Sequence, residues 1–395
     1  MQYNIYRLYL IKIAKWFSLI MPIVVLFYNE NDLHQLDIFT LQAIYSVAIV
    51  VLEIPSGYFA DVLGRRTSLI FGAIFGFVGF SIYSFSYGFW GFLAAEIILG
   101  IGQSLISGAD SAMMYDSLYA QKREKLYLKF EGRITSVGNF AEALAGISGG
   151  FLATYSLRTP YFFQTMVAFI AIPAAFTLIE PFREKNIKKL RFSDILKVFK
   201  IALIDKPKLR YNIVFSSIIG CATLSMAWFV QPYFMAIDLP STKHYGILWT
   251  LLNLSVGITS LMAFRIDKNL GKTKTILLIV ILISGFYIIT GFYQSYWAIS
   301  ILFMFYFVRG FATPILKNYI NQMTDSNIRA TVLSIRNFII RLVFAGLSPI
   351  LGWLTDNYSL SFALKSGGFF FLITGLIVSI LLIIANRKTN TQFIS

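Results

Sequence analysis

The chain has few of the residues on which soluble enzymes and secreted proteins rely. Its single cysteine, Cys221, excludes an intramolecular disulfide. Asp, Glu, Lys and Arg make up 13% of the 395 residues, whereas about 25% is usual for soluble domains. The mean hydropathy is +0.69, and 57% of the residues are hydrophobic. This composition excludes an ordinary soluble domain and predicts an integral membrane protein.

Two further absences narrow the function. No G-x-x-x-x-G-K-[ST] sequence occurs, so the phosphate-binding loop of many ATP-driven proteins is missing. The two histidines, His34 and His244, fall in a predicted loop and at the outer edge of a predicted span, where neither is placed to carry protons through a membrane. No pattern of metal ligands or catalytic residues is evident. We therefore predict no metal, no cofactor and no enzymatic activity.

Long apolar runs occupy most of the chain. Each has about twenty residues, which as a helix with a rise of roughly 1.5 Å per residue crosses a ~30 Å hydrocarbon core. We predict an all-α integral membrane protein with twelve transmembrane helices. They lie near residues 8–28, 38–60, 67–86, 89–118, 133–156, 160–180, 210–236, 244–266, 273–292, 296–322, 328–354 and 361–385. The first run continues without a small-residue cleavage site, so it is a helix rather than a signal peptide.

The basic residues are unevenly distributed. The net charge is +15, and Lys and Arg outside the spans lie in or beside the termini and the loops that follow even-numbered helices. Only Arg158 and Lys243 lie in the other loops. Because basic loops stay in the cytoplasm, we expect both termini there. The charges are spread over separate loops, so we expect no nucleic-acid partner.

The turn between the second and third predicted helices is the most distinctive segment. Residues 57–66 are GYFADVLGRR, with the spacing G-x-x-x-D-x-x-G-R-R. This spacing resembles, position for position, the loop between helices 2 and 3 of the major facilitator superfamily. The matching residues are Gly57, Asp61, Gly64, Arg65 and Arg66. The resemblance covers essentially the whole chain and implies two six-helix halves related as repeats, which is the major facilitator fold.

The second half repeats features of the first. Residues 263–272, AFRIDKNLGK, correspond to the turn at 57–66, with Ala263 at the first glycine position and one more residue between the acid and the following glycine. Their matching positions are Asp267, Gly271 and Lys272. We predict an N-terminal six-helix half at 1–180, a cytoplasmic linker at 181–208, and a C-terminal half with a short cytoplasmic tail at 209–395.

The linker has two interpretations. Ser193 is a candidate N-cap, and Phe192, Ile195, Leu196, Phe199 and Leu203 share one helical face opposite Lys197 and Lys200. This pattern favours a short helix in the cytoplasmic interface of the membrane. The alternative is a solvated basic linker without a helix.

The resemblance implies a gate at the turn. In the family, the acid equivalent to Asp61 closes a cytoplasmic gate by meeting the N-terminus of helix 11, which here begins after Ser326 or Asn327. The free N–H groups and the dipole at a helix N-terminus favour an anion. Gly57 would allow close helix approach, and Arg65 could pair with the acid. The alternative is that the arginines only anchor the loop.

Placing an ionisable residue inside a membrane span costs about 2.5–3.5 kcal/mol of insertion free energy, so we expect each such residue to have a structural or functional role. Helix 4 supplies Glu96 and Asp110, and at 100° per residue Glu96, Gln103, Ser107 and Asp110 lie within about 40° of one line. We predict a polar stripe that faces the central cavity of the resembled fold. Our candidates for proton coupling are Asp110, Glu142 and Glu96. The alternative is that each acid is fixed in a salt bridge between helices.

The second half supplies cations instead. The candidates for substrate binding are Gln103, Ser107, Arg309, Lys317, Asn337 and Arg341. The cations could form salt bridges that break during transport, bind an anionic substrate group, or pair structurally with acids.

We predict a secondary active transporter that moves a small organic solute by alternating access. We expect proton coupling, and we favour export. Two alternatives stay open, a proton-coupled symporter that imports an anionic metabolite and a receptor or lipid-handling protein that does not transport. The expected partners are the solute, protons and the lipid bilayer. The expected state is a monomer in a bacterial inner membrane.

The finer assignment rests on residues 107–118, which resemble a bacterial efflux-type branch, and on Arg133 at the start of helix 5. The sequence differs at two positions from the usual sequence of proton-coupled drug exporters. Glu96 stands where those proteins usually carry an arginine, and the segment Gly146-Ile147-Ser148 lacks their proline. Both departures weaken the specific inference of drug antiport.

Overall fold

The computed structural model describes residues 3–123, 126–181, 197–325 and 328–392, with all side chains except those at 54, 61, 128, 132, 135, 330 and 386–392. Every regular element in these ranges is a helix. The first half contains α1 (Asn4–Trp16), α2 (Val24–Glu30), α3 (Gln35–Leu63), α4 (Arg65–Phe85), α5 (Gly88–Ile106), α6 (Ala109–Tyr119), α7 (Tyr127–Leu152) and α8 (Thr159–Phe176). The second contains α9 (Pro207–Ala236), α10 (Thr242–Ser260), α11 (Ala263–Leu270), α12 (Lys272–Phe292), α13 (Ile299–Asn321), α14 (Arg329–Asn357) and α15 (Leu360–Gln392).

Each predicted span corresponds to one of these helices or to a broken pair. Among the described residues, nine helices are long and apolar enough to cross a membrane, or ten if the pair α10 and α11, bent by 53°, counts as one span. The other two predicted spans fall short for identifiable reasons. The first is divided into the short helices α1 and α2, and α7 contains four charged residues, Lys129, Glu131, Arg133 and Glu142.

The first span is broken around Pro22. Proline lacks an N–H group and clashes with the preceding turn, so α1 ends at Trp16 and α2 begins at Val24. The backbone N–H of Leu19, left without a helical partner, donates to the side-chain oxygen of Gln164 at 2.8 Å. Gly149 of α7 lies directly against the Leu19 carbonyl, where no side chain would fit. The backbone N–H that the break leaves free therefore has a partner, and the break is part of the packing between helices.

Helix 4 is also two helices. It ends at Ile106 and restarts at Ala109, with Gly108 between them at φ +80°. The polar stripe predicted from Glu96 to Asp110 is wrong as a single face, because a rotation of 100° per residue does not continue through the break. Glu96 is buried inside the helices, whereas Ser107 is exposed.

Contacts divide the chain into two compact units. Unit 1 comprises Met1–Asn186 with Asp238–Leu251, and unit 2 comprises Ile187–Ile237 with Leu252–Ser395. Residues 238–251 group with unit 1 through hydrogen bonds to α7: the Thr242 and Thr250 hydroxyls donate to the carbonyls of Gly150 and Ala143, each at 3.1 Å. The predicted halves at 1–180 and 209–395 are defined by helix order and stay a prediction.

The described part of the linker is helical. Residues 197–205 form a short helical segment before α9. Val198 and Ala202 are buried in a core cluster of unit 2, and Phe199 and Leu203 pack against that cluster. Residues 182–196, which include Ser193, Phe192, Ile195 and Leu196, lie outside the described residues. The helix in 197–205 thus packs its apolar side against protein.

The two inter-helix turns singled out in the sequence have the same backbone conformation. Gly64 precedes α4 with φ 100° and ψ 148°, and Gly271 precedes α12 with φ 72° and ψ 159°. Only glycine adopts this region readily. The repeat seen in the sequence is therefore also a repeat of local structure.

The break at Pro22 yields a stability prediction. Gly149→Ala would place a methyl group on the Leu19 carbonyl, and we expect the free energy of unfolding to fall by about 1–3 kcal/mol. Gly76→Ala in α4 is the control, since no atom lies within 4 Å of its Cβ position, and removing a helical glycine there should raise stability by about 0.5–1 kcal/mol. Thermal unfolding in detergent micelles measures both. Equal melting temperatures for the two variants would contradict the close approach.

Candidate functional site

Charged side chains gather at the two ends of unit 1. One end, which we call the Glu180 end, contains the starts of α1 and α4 and the end of α8. The opposite end, which we call the Arg158 end, contains α2, the end of α4 and the start of α5. The two ends have different chemistry and are described in turn.

At the Glu180 end, a carboxylate caps α4. The backbone N–H groups of Arg65 and Arg66 donate to the two carboxylate oxygens of Glu180 at 3.0 and 2.7 Å. An anion at this position satisfies free N–H groups and opposes the positive end of the helix dipole. The sequence analysis missed Glu180, because nothing in the chain order links it to residue 65.

The two arginines of the turn have specific partners. Arg65 Nη1 forms a salt bridge with Asp116 and also donates to the Ala112 carbonyl, both on α6. Arg66 Nη2 donates to the Phe176 carbonyl at the end of α8, at 2.8 Å. The arginines therefore connect α4 to two other helices, which goes beyond anchoring a loop.

The remaining gate residues are placed as follows. Gly57 is exposed, and no described atom lies within 4 Å of its Cβ position. The Asp61 side chain lies outside the described part of the structure, as do Ser326 and Asn327. The gate role of Asp61 stays a prediction.

The start of α1 is fixed at the same end. Asn4, fully buried, donates to the Ser117 hydroxyl at 3.0 Å and to the Ile179 carbonyl at 2.7 Å. The Ile179 N–H donates back to the Asn4 side chain at 3.0 Å. Residues 179 and 180 thus join α1, α4 and α6 at one point.

Asp110 forms an ion pair beside the break in helix 4. Its carboxylate lies 3.8 Å from Lys12 Nζ on α1, and the two side chains are 16% and 14% exposed. The Ser111 N–H donates to Asp110 at 2.8 Å, and the Ser111 hydroxyl donates to Glu131 of α7 at 2.9 Å. Lys12 also lies 5.0 Å from the Trp16 ring. We call this group the Lys12–Asp110 site.

Two other predicted residues lie on the same broken helix. Gln103 is half-buried in the last turn of α5, and Ser107 is exposed in the break. Glu142 is half-buried farther along α7.

At the Arg158 end, Glu96 is buried among hydroxyl groups. One of its carboxylate oxygens accepts from Tyr28 at 3.0 Å, Tyr83 at 2.7 Å and the Gln42 amide at 2.6 Å. The two tyrosine hydroxyls are themselves 2.6 Å apart. Three short oxygen–oxygen contacts need three protons, and two hydroxyls supply only two. A proton on Glu96 would complete the triangle.

Tyr161 adjoins this cluster. Its ring lies 5.3 Å from the Tyr83 ring, and its fully buried hydroxyl has no hydrogen-bond partner among the residues that the structure describes. It therefore offers a natural comparison for the hydroxyls that do contact Glu96.

Arg158 closes the same end of α4. Its guanidinium donates to the carbonyls of Tyr83, Ser84 and Ser86 at 2.9–3.2 Å and to the Asn31 side chain at 2.9 Å. A cation at a helix C-terminus complements the dipole.

In unit 2 the predicted cations are spread along two helices. On α13, Arg309 lies 5.2 Å from the Tyr306 ring, and Lys317 is exposed. On α14, Asn337 is exposed and Arg341 is half-buried. At the second turn, Tyr319 donates to Asp267, and Lys272 Nζ lies 4.8 Å from the Tyr319 ring.

Arg336 was not among the substrate candidates, yet it is the most enclosed of the α14 cations. It is 5% exposed, donates to the Ser216 hydroxyl and donates to the Asn337 side chain at 3.1 Å. Lys317 is near enough to repel it. In the part of the chain that the structure describes, no carboxylate pairs with Arg336. The sequence feature that could have identified Arg336 is its position, as a charged residue, inside a predicted span.

The described residues contain no group of three or more His, Cys, Asp or Glu side chains arranged to bind a metal.

Comparison with known proteins agrees with this architecture. Residues 16–345 match the family model described as Major Facilitator Superfamily. The uncharacterized MFS-type transporter YceJ of Bacillus subtilis is 21% identical over 298 residues, covering 74% of this chain and 73% of YceJ.

Two solved structures resemble the fold. The nucleoside transporter NupG has a TM-score of 0.81 at 11% identity and covers 97% of this chain and 98% of its own. A D-xylose–proton symporter has a TM-score of 0.71 at 15% identity and covers 95% of each chain. The predicted fold class is confirmed.

The Glu96 cluster gives a matched pair of variants. Tyr83→Phe removes a donor to Glu96, and we expect a loss of stability of about 0.5–1.5 kcal/mol if the acceptor is neutral or about 1.5–3 kcal/mol if it is ionised. Tyr161→Phe removes a hydroxyl without a partner and should leave stability unchanged or raise it. Thermal unfolding compares the two. Equal losses would show that the hydrogen bonds to Glu96 do not stabilise the protein.

Proposed function

Because the chain belongs to the Major Facilitator Superfamily and its relatives are membrane transporters rather than enzymes, we propose that it moves a small organic solute by alternating access and draws its energy from a proton gradient. The observation that carries this proposal is the Lys12–Asp110 ion pair at the break between α5 and α6. Three steps connect that geometry to transport.

The first step concerns the break. In secondary transporters, discontinuous helices commonly form the solute site, because unwound backbone and helix ends present polar groups inside the membrane. Here the break exposes Ser107 and places Asp110 in the first turn of α6. The half-buried Gln103 lies in the preceding turn of α5. These groups form the proposed solute-binding surface of unit 1.

The second step concerns the proton. An ionised Asp110 attracts Lys12 across two helices, and protonation removes that attraction. The pair is partly exposed, so water and protons reach it. Uptake of a proton would thus release α1 from α6, which is the kind of two-state change that coupling requires. A D-xylose–proton symporter has a similar fold.

The third step concerns the other acids. Glu96 is enclosed by Tyr28, Tyr83 and Gln42, and the oxygen triangle is complete when Glu96 holds a proton. We propose it as a second, slower proton site. Glu142 on α7 stays a candidate by its position in a span.

The gate is proposed at the Glu180 end. Arg65, Arg66, Asp116 and Glu180 fix the start of α4, and the resemblance places Asp61 one turn earlier as the residue that meets helix 11. On the second-half turn, Asp267 and Lys272 contact Tyr319. A fixed turn in each half would position both acids for gating.

Orientation and setting follow from the charges. The cations Arg65, Arg66, Arg123, Lys129 and Arg133 all lie at or near the Glu180 end, so we place that end, and both termini, in the cytoplasm. We propose a monomer in a bacterial inner membrane.

Export stays the favoured direction, and import of an anionic metabolite is the second candidate. Arg336 favours an anionic solute, because a cation buried with no carboxylate partner among the described residues is costly unless a ligand compensates it. A thermal-shift screen shows whether anions or other solutes bind, since a bound ligand raises apparent stability. Anions would act through Arg336, and Arg336→Gln would abolish their effect.

Proton coupling predicts a separation of transport modes. Once the screen has identified a solute, Asp110→Asn in proteoliposomes should lose accumulation driven by a proton gradient and keep counterflow exchange. The amide resembles the protonated acid and cannot release a proton. Asp205→Asn, an exposed acid outside the site, should behave as wild type. Accumulation by Asp110→Asn against a gradient would refute the assignment.

The gate predicts a conformational defect. Asp61→Asn should insert normally but cycle slowly, since the contact between its charge and a helix dipole is worth about 0.3–2 kcal/mol. Accessibility of engineered cysteines near residues 57–66, with and without solute, measures the change. Unaltered accessibility and transport would remove Asp61 from the gate. A wild-type protein that shows no solute-dependent accessibility would favour a receptor or lipid-handling protein.

A further inference from the structure

A cavity of about 890 Å³ lies between the start of α1 and the start of α7 in unit 1. We call it the α1–α7 cavity. None of its lining residues belongs to the Lys12–Asp110 site or to the gate. The lining consists of Ile5, Tyr6, Tyr9, Arg123, Lys129, Phe130, Arg133, Ser136, Val137 and Phe140.

The described lining of the cavity is positively charged. Arg123, Lys129 and Arg133 are exposed, and no lining residue is acidic. Both guanidinium groups lie over the Phe130 ring, at 5.8 and 5.9 Å. In residues 3–123, 126–181 and the other described ranges, no carboxylate forms an ion pair with any of the three cations. They converge on a space that suits an anion.

The polarity of the cavity changes along α7. Lys129, Arg133, Val137 and Phe140 are spaced i, i+4, i+8 and i+11, which places them on one helix face. The two cations occupy the first turns, and the apolar side chains follow roughly 10 Å deeper along the axis. Phe140 is 77% exposed. Charge at the helix end is thus followed by apolar surface toward the helix middle. A phospholipid has the same order, with a charged headgroup followed by apolar acyl chains.

We propose that the α1–α7 cavity binds one anionic glycerophospholipid. Its phosphate contacts Arg123, Lys129 and Arg133, and an acyl chain covers Val137 and Phe140. Arginine and lysine bind phosphate through charge-assisted hydrogen bonds, and basic pockets between transmembrane helices are suited to anionic headgroups. A soluble phosphate would use the same cations but would leave the apolar stretch uncovered, so the lipid accounts for more of the surface.

The test compares lipids and soluble phosphates on delipidated protein. Binding of phosphatidylglycerol, phosphatidylcholine and glycerol 3-phosphate is measured in detergent by native mass spectrometry and by the shift in melting temperature. We expect phosphatidylglycerol to bind more tightly and to stabilise more than phosphatidylcholine. Each cation removed should weaken phosphatidylglycerol binding about fivefold, so Lys129→Gln/Arg133→Gln should weaken it roughly 25-fold.

The control carries the same loss of charge elsewhere. Arg265→Gln/Lys268→Gln removes two exposed cations of unit 2 and should bind phosphatidylglycerol as wild type does. Phe140→Asn should weaken long-chain more than short-chain phosphatidylglycerol. All these changes lie on exposed side chains, and the melting temperature in phosphatidylcholine verifies folding.

Three results would overturn the proposal. The first is equal binding of phosphatidylglycerol and phosphatidylcholine by the wild type. The second is loss of binding in the control as large as in Lys129→Gln/Arg133→Gln. The third is stabilisation by glycerol 3-phosphate equal to that by phosphatidylglycerol and lost in Lys129→Gln/Arg133→Gln, which would assign the cavity to a soluble phosphate.

Discussion

Within a hydrocarbon solvent, every backbone N–H and C=O group needs a partner supplied by the protein, and the architecture of unit 1 follows from that constraint. At the break before α2 and at both ends of α4, a side chain from a distant part of the chain meets the free groups. Gln164 serves the break at Leu19. Glu180 accepts from the N–H groups at the start of α4, and Arg158 donates to the carbonyls at its end. Each residue carries the charge that opposes the helix dipole at that end.

The same constraint separates the acids by role. Asp110 lies at a helix break, partly exposed and paired with the cation Lys12. Glu96 forms no ion pair within the described residues and accepts hydrogen bonds from hydroxyl and amide donors inside a packed group of aromatic rings. One sequence feature, a carboxylate in a span, therefore corresponds to two physical environments with different consequences for proton exchange.

The sequence predicted what depends on local composition and left out what depends on contact between helices. Apolar run length located the spans, and the turn at 57–66 identified the family, because both are written in consecutive residues. Pro22 and Gly108 carried the signals for the two broken helices, and neither was used. Glu180 and Gln164 could not be found, since their partners are more than a hundred residues away and no periodicity links them. The burial of Glu96 was not predicted either. The break between α5 and α6 means that a rotation of 100° per residue does not relate the face of Glu96 to that of Asp110.

The two-ended capping of α4 has a consequence for biosynthesis. The ribosome releases the chain from the N-terminus, so α4 enters the membrane before either of its caps exists. Arg158 emerges after α7, and Glu180 only after α8. Until then the ends of α4 depend on water, lipid headgroups or the insertion machinery for their hydrogen bonds. The capped form of α4, with both ends hydrogen-bonded by protein, is therefore complete only after residue 180 has been made, although α4 itself is among the first helices to leave the ribosome.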